Sequence, residues 1–90
     1  MRTMQTEFPE LEPLTDEVSG WMKQNGFKDN SWHNDEWPMF LNESRGLGLW
    51  IIGDKIKLYA LFHYDRETEM FSDDIYQTFD VNKLTARLAA

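Results

Sequence analysis

Apolar residues run densest from Leu47 to Tyr64, as two β-rich stretches on either side of Gly53-Asp54. A Gly-Asp pair between such stretches is a strong hairpin signal. A two-residue turn at that pair sets Ile52 opposite Lys55, Ile51 opposite Ile56, Leu49 opposite Leu58 and Leu47 opposite Ala60. Side chains alternate along a strand, so Leu47, Leu49, Ile51, Ile56, Leu58, Ala60 and Phe62 then share the face expected to be the core. The opposite face carries Gly48, Trp50, Ile52, Lys57, Tyr59, Leu61 and His63.

The pattern changes period on both sides of this hairpin. Leu14, Val18, Trp21 and Met22 fall at i, i+4, i+7 and i+8, which predicts an amphipathic helix over Leu14–Asn25. Pro13 suits a first helical turn, and Thr15 is a rival cap. Asp16 and Glu17 favour the same end through the helix dipole. Asn25-Gly26-Phe27 reads as a stop, with Gly26 left-handed and Phe27 folding back on Met22. Val81, Leu84 and Leu88 predict a last helix capped by Asp80. Met39–Asn42 predicts a strand after Pro38. A further short strand is expected around Ser31–His33. After a turn at Asp65-Arg66-Glu67-Thr68, either Glu69–Ser72 or Ile75–Phe79 supplies the last strand, with Phe71 opposite Phe62.

The expected fold is therefore α+β: an antiparallel meander of three or four strands with an N-terminal and a C-terminal helix on one face. Residues 1–12 are polar around Pro9 and read as a poorly ordered tail. Residues 13–90 read as a single domain, near the lower size limit for folding without staples.

Composition narrows the function classes. There is no cysteine, hence no disulfide framework or thiolate metal site. No apolar run is long enough to span a bilayer. A cytoplasmic protein is the expectation. The 16 Asp and Glu outnumber the 9 Lys and Arg, for a formal net charge of -7. Direct nucleic-acid binding needs a basic face and is disfavoured. The order α-β-β-β-α also occurs in double-stranded-RNA-binding domains, but this chain lacks the basic helix start and loops they use on phosphates.

No sequence motif identifies a reaction. His33, Asp35 and Glu36 lie close together, and His63 and Asp65 sit at a strand end, yet the spacing matches no metalloenzyme motif. The serines lack an elbow or oxyanion context. No catalytic residue, metal or cofactor is assigned, and the chain reads as a non-enzyme. Its acids instead resemble a spaced row of phosphates, and Trp50 and Tyr59 on the outer sheet face offer aromatic anchors. The expected function is a small acidic protein-binding module that occupies another protein's basic surface, with Glu10, Asp16, Glu17, Asp73 and Asp74 steering it. The most concrete version is an inhibitor from a phage or other mobile element acting on a nucleic-acid-handling complex. The alternatives are a structural protein that self-associates through the outer sheet face, and a small metal-dependent hydrolase using His33, Asp35 and His63.

Overall fold

The computed structural model describes residues 1–89. Five antiparallel strands lie side by side in chain order: β1 (Lys28–Asp29), β2 (Met39–Asn42), β3 (Leu47–Ile52), β4 (Leu58–Asp65) and β5 (Met70–Thr78). The class is α+β, as the pattern predicts, with one strand more than the upper expectation. The addition is β1, which pairs Lys28 with Leu41 and Asp29 with Phe40. The strand expected around Ser31–His33 does not form. Instead Ser31 is buried, its hydroxyl donating to Asp29 Oδ1 at 2.7 Å and accepting from the Met39 amide at 3.3 Å.

Three helices pack on one face of the sheet: α1 (Met4–Glu7), α2 (Asp16–Gln24) and α3 (Val81–Ala89). Thr15, not Pro13, starts α2, its hydroxyl accepting from the Val18 amide. The helix stops as expected. Gly26 takes φ +76°, and the Phe27 amide donates to the Met22 carbonyl at 2.9 Å. Phe27 then stacks on Trp21 at 5.7 Å between ring centroids. Asn42 completes this end from the sheet, donating Nδ2–H to the Asn25 carbonyl at 2.8 Å. The Trp21 indole N–H donates to the Thr85 hydroxyl at 3.0 Å, tying α2 to α3. Residues 1–12, expected as a tail, carry α1 with a Thr3 cap, and Met4 and Phe8 are buried.

The register of the central hairpin differs from the expectation. Leu49 pairs with Leu61, Ile51 with Tyr59, Gly48 with Phe62 and Leu47 with His63. The two strands are joined by the loop 53–57, not by a Gly53-Asp54 turn. Leu49 meets Leu61 instead of Leu58, a slip of three positions. An odd slip exchanges the faces of the second strand. Tyr59 and Leu61 therefore join Leu49, Ile51 and Leu47 under the helices, while Ala60 and Phe62 turn to the outside. Two features enforce this. Gly53 has φ +113°, and a Cβ there would lie 2.2 Å from the Ile56 carbonyl oxygen, so the loop closes tightly around a glycine. The Asp54 carboxylate also accepts from the Glu12 amide at 2.6 Å, which holds the loop against the α1–α2 connection.

Both candidates for the last strand belong to β5. Irregularities opposite Leu61–Phe62 and Phe62–Tyr64 place extra residues on β5. At the first, Ile75 and Tyr76 both pack on the helix-side core. Arg87 of α3 donates to the Ile75 carbonyl at 3.2 Å and lies 5.0 Å over the Tyr76 ring. At the second, the His63 amide finds the Ser72 hydroxyl at 3.0 Å in place of a backbone carbonyl. Phe71 lies opposite Tyr64, not Phe62, and on the outer face, not the core face.

Candidate functional site

The outer sheet face carries a second, smaller apolar cluster. Met39, Leu41 and Phe62 are its buried members, and Trp50 and Tyr64 pack against them half-buried. Its centre is Phe62, which has no exposed surface although no helix covers it. Gly48 makes room beneath the ring, and Trp50 and Phe71 enclose it at centroid distances of 5.5 and 5.6 Å. Trp50 and Phe71 meet edge to face at 5.8 Å. Such contacts hold rings in fixed orientations. Phe71 stays 52% exposed, so the triad presents a partly open aromatic surface at the β5 edge.

One acid borders this surface directly. The register places Asp74 opposite Phe62 and hence on the outer face, where its carboxylate accepts from Gln77 Nε2 at 2.7 Å. Tyr64 has its phenol pushed above the ordinary tyrosine value, first by burial and then by the charges of Glu69, Glu43 and Asp65. Those three carboxylates therefore lie near the Tyr64 phenol, although Asp65, the next residue along β4, alternates to the other face. Lys28 and Arg66 lie with Glu43 around a depression on the β1 side.

The expected site residues divide. Trp50 and Asp74 share the outer face, with Asp73 beside them on β5. Tyr59 does not: it is 6% exposed and sits in the helix-side core, because the register exchange turns it inward. Burial, followed by the charges of Asp80 and Glu17, holds its phenol above the ordinary value. Glu17 is thus near Tyr59, on the helix side. Asp16 accompanies it in the first turn of α2, and Glu10 is exposed in the connection between α1 and α2. The five expected acids do not form one surface.

The pattern also failed to place Phe62 and Phe71 on this face. Gly48 is the signal that pointed there, since a glycine inside an apolar strand marks the close approach of another group.

His33 is engaged elsewhere. Its ring Nδ1 lies 3.0 Å from Glu7 Oε1, and its backbone amide donates to the same oxygen at 3.3 Å. The hydrogen bond from the ring is the main cause of a Glu7 carboxyl held below its ordinary value. Trp32 is covered by the Arg2 guanidinium, 5.2 Å from its centroid. Among the described residues no three His, Asp or Glu side chains gather as a metal site. No helix of the described residues is long and apolar enough to cross a membrane. Comparison with protein families, with curated proteins and with solved structures finds no match for this chain.

Proposed function

We propose that this chain is a non-catalytic binding module that docks its outer sheet face on a basic, apolar-centred surface of another protein. The observation that carries the reading is the Trp50–Phe62–Phe71 triad, packed ring against ring and partly open, with Asp74 beside it on the same face. Aromatic side chains packed at the centre of an interface supply most of its affinity, while charges at the rim steer association. Phe71 replaces Tyr59 as the second anchor. Asp73 and Asp74 keep their steering role; Glu10, Asp16 and Glu17 contribute only to the overall field. In its most concrete form the module comes from a phage or other mobile element and blocks a nucleic-acid-handling complex, its carboxylates occupying positions that phosphates would take.

The test is affinity capture from the source cell at low and high salt, with Phe71→Ala and Asp73→Lys/Asp74→Lys variants. A partner with a basic face should be captured at low salt. Phe71→Ala should shorten its residence, and the double Lys variant should slow its association. A captured partner bound equally well by both variants removes this face from consideration.

Self-association through the same face is the second reading, favoured by Phe71, which stays 52% exposed within the outer-face triad. Sedimentation over a range of concentration separates the two: a tight dimer abolished by Phe71→Ala selects self-association.

A further inference from the structure

One row of residues crosses the whole outer face. Lys28 of β1 pairs with Leu41 of β2, Leu41 with Gly48 of β3, Gly48 with Phe62 of β4, and Phe62 with Asp74 of β5. Residues directly opposite one another share a face. Leu41 and Phe62 belong to the outer cluster, so Lys28 and Asp74 stand at the two ends of that face. The row starts at a cation, runs over apolar ground and ends at an anion.

The two ends cannot meet within one molecule, because four strand spacings of about 4.8 Å hold them roughly 19 Å apart. Both residues are exposed, and neither forms an ion pair among the described residues. The Asp74 carboxylate accepts from the neutral Gln77 side chain. Each charge thus lacks a counterpart, and each lies two strands from β3, the middle of the sheet. Such a pattern complements itself. Turning a second copy over, about an axis that lies above β3 and parallel to it, sets its β1 on the first copy's β5 and its β5 on the first copy's β1. A two-fold interface makes every such contact twice. Lys28 then meets Asp74 at both rims, and the two apolar clusters meet in the middle. Sheets packed face to face lie about 10 Å apart with their strands nearly aligned, a gap that a lysine and an aspartate side chain bridge together.

We propose that the chain forms a two-fold dimer in which the outer faces pack on each other, Lys28 of each copy meeting Asp74 of the other. The inference rests on the second reading above, self-association through this face, and supplies its geometry. A basic partner and a second copy then compete for one surface. The face measures roughly 20 Å each way, about 400 Å² per copy, which is at the low end of specific interfaces. The dimer is accordingly weak and forms at high micromolar concentration.

The experiment is sedimentation equilibrium of the full chain from about 20 μM to about 1 mM. Salt at about 0.15 M screens the net charge of -7 on each copy beyond about 8 Å. The unaltered chain should approach the mass of a dimer. Lys28→Asp and Asp74→Lys each turn two attractions into two repulsions, and each should weaken the dimer by about ten-fold or more. Lys28→Asp/Asp74→Lys exchanges the charges and should restore it to within about three-fold of the original. Both positions are exposed, so melting temperatures should not change. Single variants that dimerise undiminished, or a double variant as weak as the singles, overturn the proposal. A dimer abolished by Phe71→Ala but indifferent to charge reversal overturns this arrangement and leaves self-association through the face standing. An unaltered chain that stays monomeric throughout overturns both.

Discussion

The ring of Phe62 occupies the space that a side chain on Gly48 would need. A Cβ on residue 48 would lie 2.2 Å from Phe62 Cζ and 2.4 Å from Cε2. The two residues are cross-strand partners. The glycine lets the ring lie flat on β3, and Trp50 and Phe71 close over it. Phe62 is flanked on all sides, so it cannot swing away cheaply. Gly48→Ala should therefore destabilise the domain by about 1–3 kcal/mol, as overpacking does. Gly48→Ala combined with Phe62→Leu should recover part of that loss. Urea unfolding of the three variants measures it; a fully additive double variant would show that the ring and the glycine do not share that space.

The hairpin register makes a prediction in which two leucines part company. Leu61 is 2% exposed in the helix-side core, whereas Leu58 is half-buried beside the loop 53–57. Leu61→Ala and Leu49→Ala should each cost about 2–5 kcal/mol. Leu58→Ala should cost clearly less. The turn expected from Gly53-Asp54 gives the reverse order for 58 and 61, so chemical denaturation of this pair decides the register.

What was legible in the sequence follows from where its periodicity is unambiguous. The stripes Val18-Trp21-Met22 and Val81-Leu84-Leu88 have only one helical reading, and both helices form with those faces buried. The meander follows from short connections. The faces of β4 were not legible, because Leu58, Tyr59, Ala60, Leu61 and Phe62 are all apolar or aromatic and a period of two has nothing to distinguish them. Only long-range facts decide: the space over Gly48 and the anchoring of Asp54 by Glu12. The triad depends on that same choice: Phe62 and Phe71 were expected on the core face along with the wrong register, while Trp50 was expected on the outer face, where it lies. The first helix was illegible for a different reason, since the short segment Met4–Glu7 carries no periodic signal of its own.

Alkaline pH should weaken the fold through Tyr59. Its folded-state value is raised, first by burial and then by Asp80 and Glu17. A raised value means stability that is full below the unfolded tyrosine value, about 10, and that is lost as pH rises through the folded one. Tyr64 acts in the same direction. Thermal melts should fall above about pH 10, and Tyr59→Phe should flatten that fall without removing it. An unchanged alkaline limb in Tyr59→Phe would place the sensitivity elsewhere.

At the acid end the sensitive group is Glu7. His33 holds its carboxyl below the ordinary value, chiefly by the side-chain hydrogen bond. A depressed value contributes stability above the unfolded value, and that contribution disappears as pH falls through the folded one. Both groups lie near the surface, so the effect is local. Amide exchange at residues 4–8 should quicken below about pH 4 ahead of exchange in β3 and β4. His33→Ala should make these amides exchange faster at neutral pH. Simultaneous loss of protection in α1 and the sheet would show that the segment opens only with the whole domain.

The acids of β5 have a second consequence, at the sheet edge. β5 runs from Met70 to Thr78 along the outer edge, and most of its side chains are exposed. An exposed edge of this length offers unpaired backbone groups to another chain. Two irregularities in its pairing interrupt the edge, and Asp73 and Asp74 put like charges where a second copy would align. Replacing them by Asp73→Thr and Asp74→Val removes the repulsion and raises strand propensity together. The double variant should stay folded, since neither aspartate is buried, yet sediment faster with rising concentration and bind amyloid dyes on standing. Asp73→Asn/Asp74→Asn, which removes charge with little change in strand propensity, should show a weaker form of the same behaviour. If both variants remain monomeric at millimolar concentration, the irregularities alone protect the edge, and the two carboxylates are free of any structural duty that would compete with their proposed steering role.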